Sequence, residues 1–88
     1  MEQIARTAKQ LANLVRQRRT ELRLTQAELA SRIALRQSTV SALETSANVR
    51  TATLLSSLAA LDLEMVIRPR TKASAKDIEA HPTPHFVA

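Results

Sequence analysis

The sequence predicts an all-α fold, a small domain of four to five short helices built around a helix-turn-helix, with one short strand at its C-terminal end. Three observations carry this. Thr25 and Glu28 stand at the Thr-x-x-Glu spacing of a capping box, ahead of two short apolar stripes separated by a three-residue break. Leu54, Leu55, Leu58 and Leu61 then repeat at helical spacing, and Leu63, Met65 and Ile67 at strand spacing. Finally, the 88 residues include no glycine, no cysteine and a single aromatic, so the 44% hydrophobic content comes mainly from Leu, Ala, Val and Ile. Such side chains suit short helices in close contact. A core with so few large residues is marginal alone, which favours a stabilising second subunit.

Taken in order, residues 1–24 read as a helix that frays before Thr7. Leu11, Leu14, Val15 and Leu22 keep an apolar stripe, which Ala8 extends toward the start. Arg16, Arg18, Arg19 and Arg23 gather at the far end, where cations complement the helix dipole. Residues 26–33 follow the capping box as a short amphipathic helix with Leu29, Ala30 and Ile33 on one face. After a break at residues 34–36, Val40 and Leu43 mark a second helix whose other positions are Gln37, Ser38, Thr39, Ser41 and Ala42. Two short helices across a tight turn, the second with small polar side chains outward, have the layout of a helix-turn-helix.

Residues 45–50 form a polar loop, and Thr51 is a good N-cap for the leucine-rich helix that closes the core, where Ala59 and Ala60 allow close approach. Beyond it, Leu63, Met65 and Ile67 alternate with Glu64, Val66 and Arg68. The alternation favours a strand over an extension of the last helix through residues 62–67. A lone strand leaves both edges unpaired, so its natural mate is the same strand of a second copy, across a homodimer. That closes a domain at residues 1–68. Residues 69–88 are polar, hold all three prolines and read as a disordered tail. His81 and His85 are four apart, but Pro82 and Pro84 break any helix there, so no metal site is expected. Phe86 reads equally as an anchor for a partner's groove or as an exposed terminus.

Charge narrows the function. Residues 1–50 hold nine Lys/Arg against four Asp/Glu, whereas residues 51–88 hold four of each, so the whole excess of +5 lies with the helix-turn-helix. A polyanion is the expected partner, and duplex DNA is one. Enzyme chemistry finds little support. There is no thiol, no glycine for a phosphate-cradling loop and no converging carboxylate set, and no cofactor is expected. The start of the chain lacks a signal-peptide apolar run, and residues 54–61 are too few to span a bilayer, so a cytoplasmic protein is expected.

The segment from Thr25 to Glu44 resembles the Cro/C1-type (XRE) DNA-binding family. Gln26 matches the glutamine that starts the family's first motif helix, and Ala30 the small residue at the helix crossing. Leu29, Ile33, Leu35, Val40 and Leu43 match its buried positions. Val15, Arg16, Arg19, Leu24, Thr25 and Gln26 match its upstream run. One departure stands out: Ala34 occupies the turn position usually held by glycine, and a left-handed backbone there would cost about 1–2 kcal/mol.

By this resemblance, base edges in a major groove fall to Arg36, Gln37, Ser38, Thr39 and Ser41. Phosphates fall to Thr25, Gln26, Arg32, Asn48 and Arg50. Arg19 and Glu44 are expected to form a structural ion pair between the first and the recognition helix. Within the family, Gln10–Asn13, Gln26–Ala30, Gln37–Ser41 and the leucine helix running into residues 63–67 are similar to HipB-type antitoxins. That resemblance implies a dimeric repressor of its own operon, paired through Leu63, Met65 and Ile67, that binds palindromic double-stranded operator DNA and a HipA-type kinase toxin. A stand-alone phage- or chromosome-type repressor without a toxin partner is the alternative.

Overall fold

Helix starts and stops come first, because they decide which faces meet. The structure, a computed structural model, describes residues 2–70. Four helices follow one another in it: α1 (Ala8–Glu21), α2 (Gln26–Arg32), α3 (Gln37–Ser46) and α4 (Thr51–Ala60). Thr7 caps α1 by accepting the Gln10 N–H on its hydroxyl, so the helix begins there and not at the chain start. Thr25 caps α2 through the full reciprocal box: its hydroxyl accepts from the Glu28 N–H, and the Glu28 carboxylate accepts from the Thr25 N–H. Arg50, and not Thr51, is the N-cap of α4, and it makes no side-chain cap bond. Thr51 is already the first helical residue.

In a chain without glycine, the helix ends carry a cost. Arg23, Ala34, Ala47 and Asp62 all adopt positive φ, between 56° and 58°. A left-handed residue with a Cβ is disfavoured by about 1–2 kcal/mol. The compensation is visible after α1, α2 and α4. In each case the residue beyond the left-handed position donates back across the turn: Leu24 to the Arg19 carbonyl, Leu35 to Ala30 and Leu63 to Leu58. These are Schellman closures, and the donor is a leucine every time. Leu24 is buried and Leu63 packs against the core, so the turn recovers in apolar contact part of what the backbone loses.

One core results. Val15 of α1, Leu29 and Ala30 of α2, Val40 and Leu43 of α3, and Leu58 of α4 pack with Leu24 and Leu61 from the helix ends. Ala12 and Ser57 are also fully buried, the Ser57 hydroxyl donating to the Thr53 carbonyl one turn back. Arg18 ties α1 to the end of α4 by donating to the Leu61 carbonyl at 2.9 Å. Three leucines expected inside are not: Leu22 is 39%, Leu35 38% and Leu55 46% exposed. Leu22 caps α1 at the surface. Leu55 sits about 100° round the helix from Leu54, off the face that Leu54, Leu58 and Leu61 turn inward.

The left-handed Asp62 ends α4 firmly, so residues 62–67 do not extend it. Among the described residues there is no strand; residues 63–70 continue without regular secondary structure. A strand is defined by its ladder, and none of the described residues pairs with this segment. Its apolar side chains grow more exposed along the chain, from half-buried Leu63 through Met65 at 46% to Ile67 at 91%. It runs beside the N-terminal segment, where Arg68 meets Glu2 at 3.4 Å. The expectations for His81, His85 and Phe86 lie outside the described residues. Among those described, no helix is long and apolar enough to cross a membrane.

Candidate nucleic-acid interface

The surface begins with a buried charge. Arg19 of α1 grips Glu44 near the end of α3 in fork geometry: Nε donates to Oε2, and Nη2 to Oε1 at 3.0 Å. Its remaining nitrogen, Nη1, donates to the Leu24 carbonyl at 2.6 Å. The Glu44 side chain is 3% and that of Arg19 11% exposed, so both charges are largely out of water. Their helices are joined here across 25 positions of sequence.

Glu44 has a third partner. Gln26, the first residue of α2, donates its side-chain amide to Glu44 Oε1 at 3.1 Å. The other end of that amide, Oε1, accepts from Nε2 of Gln37 at 3.4 Å. Gln37 opens α3. A hydrogen-bonded line therefore runs from the α1 arginine through a buried carboxylate to the exposed start of the second motif helix. The expected phosphate role of the Gln26 side chain meets a competing use for both of its polar ends.

At the start of α2, Thr25 is likewise engaged, its N–H and hydroxyl both serving the capping box. The two Thr25 hydrogen bonds, the backbone one foremost, hold the Glu28 carboxyl below the usual carboxylate range, and the Arg32 charge adds to them. The lowered value keeps the box ionised further into acid than an unpaired glutamate would stay.

α3 presents the expected row. Arg36, its N-cap, makes no side-chain cap bond and is exposed, as are Gln37, Ser38 and Ser41; Thr39 is half-buried. The first N–H groups of the helix are left without intrahelical partners, as at any helix start. Ser38 and Thr39 face Asn48 and Arg50 across an open groove of about 670 Å³. This groove brings together two residues expected to read bases and two expected to hold phosphate. Arg32 is exposed on the last turn of α2.

Four further residues line the groove that sequence reasoning did not assign to it: Leu35, Ala42, Val49 and Thr53. The family pattern puts Leu35 in the core. It lines the groove instead, 38% exposed, whereas Leu24 and Leu63, each also directly after a left-handed residue, turn to the core. Ala42 follows from helical spacing, being three residues beyond Thr39 and four beyond Ser38. Thr53 carried no local signal, since only the packing of α4 against α2 and the loop brings its first turn to this edge.

The helix-turn-helix family model matches residues 15–66. Among solved structures, a HipB variant in complex with an O2 20mer is 33% identical with a TM-score of 0.72, covering 77% of this chain and 96% of that one. HipB with an O4 20mer and the HipA–HipB–O2–O3 complex are each similar at 32% identity and a TM-score of 0.68, with the same coverage. No curated protein sequence matches the chain.

Proposed function

The chain belongs to the XRE-type helix-turn-helix family, and from that premise we propose that it is a sequence-specific, dimeric transcriptional repressor that also acts as antitoxin to a HipA-type kinase. The observation that carries the DNA-binding reading is the row of exposed Arg36, Gln37, Ser38 and Ser41 with half-buried Thr39, whose Ser38 and Thr39 share a groove with Asn48 and Arg50 in the half of the chain holding the positive charge. On this reading Gln37, Ser38, Thr39 and Ser41 enter the major groove. Arg36 reaches guanine or phosphate, and Thr25, Gln26, Arg32, Asn48 and Arg50 hold the backbone to either side. Exposed Leu35 offers an apolar contact of the kind a thymine methyl takes.

The dimer is supported by the exposed Met65, Val66 and Ile67, an apolar edge that a second copy can pair as a two-stranded ladder with Leu63, Met65 and Ile67 in register. Two recognition helices related by that two-fold suit a palindrome with half-sites one helical turn apart. The kinase partner is supported by the likeness to the HipB chains, among them one in complex with HipA.

The test has two arms. Binding of the full chain to duplexes selected from its own genomic DNA should weaken with salt, log K falling by about 0.9 per phosphate neutralised for each unit of log salt. A salt-independent affinity would argue for a protein ligand in the groove. A nuclease-treated pull-down with the full chain, identified by mass spectrometry, should retain a kinase-like protein. Selective DNA binding with nothing retained would leave a stand-alone repressor.

A further inference from the structure

The hydrogen bonds around Glu44 have a direction, and the direction reaches the recognition face. A carboxylate held in an ion pair can only accept. Glu44 Oε1 therefore draws the NH2 end of Gln26 toward itself, 3.1 Å away. The carbonyl end of the same amide is left facing α3 and can only accept, so Gln37 turns its own NH2 toward it at 3.4 Å. One N–H and the carbonyl oxygen of Gln37 remain for whatever approaches from solvent. We propose that Glu44, acting through Gln26, is a positioning residue that fixes the polarity of the Gln37 amide and thereby its choice of base.

The consequence follows from the base edges. Adenine offers an acceptor at N7 beside a donor at N6, which one N–H and one carbonyl match. Guanine offers two acceptors, N7 and O6. An unconstrained glutamine meets guanine by turning both N–H groups outward, but Gln37 has already given one of them to Gln26. The pairing with Gln26 also holds the side chain in place before binding, which reduces the ordering cost on contact. Glu44 thus has two separable functions: it balances the Arg19 charge, and it orients an amide two side chains away. This inference rests on α3 being the DNA-reading helix.

The experiment is a selection of binding sites from a pool of randomised duplexes, read by sequencing. It uses the full wild-type chain and the Gln26→Met, Gln37→Ala and Glu44→Gln variants, each also followed by thermal melting. Wild type is expected to prefer adenine at the step that Gln37→Ala erases. Gln26→Met should flatten that preference by about tenfold at the same step. Glu44→Gln should do likewise in addition to lowering the melting temperature, because a neutral amide no longer dictates which end of Gln26 it meets. Intact preference in Gln26→Met, with every duplex weakened alike, would leave the Gln26 side chain a phosphate contact and nothing more, and overturn the inference while sparing the DNA-binding reading. A Glu44→Gln chain that melts earlier yet selects the wild-type sites would confine Glu44 to structure and overturn it too. A wild-type chain that enriches no sequence would overturn both.

Discussion

The two ends of the described chain and its middle are built by different rules. From α1 through α3, each element is tied to the next by directional bonds. The Thr25–Glu28 box starts α2, and Arg19 joins α1 to α3 through Glu44 and to the turn through Leu24. Gln26 then joins α2 to α3 at both of its polar ends. Residues 2–6 and 63–70 have little of this. A single exposed ion pair, Glu2 with Arg68, links the two segments, and such pairs contribute at most about 1 kcal/mol. Ile4, Met65, Val66 and Ile67 stand in water beside it. The middle is complete within one chain, whereas the edge has apolar surface and unpaired backbone that a second chain can cover.

The sharpest way to break that contrast is to remove Arg19. Arg19→Met leaves Glu44 buried and unpaired, and should cost about 3–5 kcal/mol of stability in urea unfolding. A loss below 1 kcal/mol would mean that the middle does not depend on this pair. Next in size is the effect on assembly. Met65→Lys with Ile67→Lys should yield a monomer by sedimentation at all accessible concentrations while the helical circular dichroism is kept. A double variant that stays dimeric would show that residues 63–67 are not the pairing edge. The smallest effect sharpens the view of the turns. Ala34→Gly relieves a left-handed alanine and should raise stability by about 1 kcal/mol. An unchanged or lowered midpoint would mean that the turn around Leu35 is not constrained by its backbone.

Much of the middle can be read along the chain because its signals are local. The capping box spans Thr25 to Glu28, the leucine stripe repeats within α4, and Thr7 and Gln37 mark their helices within a residue. The pairing of Arg19 with Glu44 came from the family resemblance, since nothing in the spacing selects one arginine of four. Leu35 shows the limit of pattern matching. Its place in the family pattern is that of a buried residue, yet it lines the groove, while Leu24 and Leu63 at the same step after a left-handed residue pack inward.

By itself, the sequence determined the succession of helices, the starts of the first three, the polar row on α3 and the side of the chain that carries the positive charge, because caps, periodicity and charge act within a few residues. Only the tertiary structure decided that Gln26 answers to Glu44 18 positions away and to Gln37 11 positions away, and that Thr53 shares a groove with Ser38. Those contacts exist only once α2, α3 and α4 have packed, and a hydrogen bond has a direction only when both of its partners are in place.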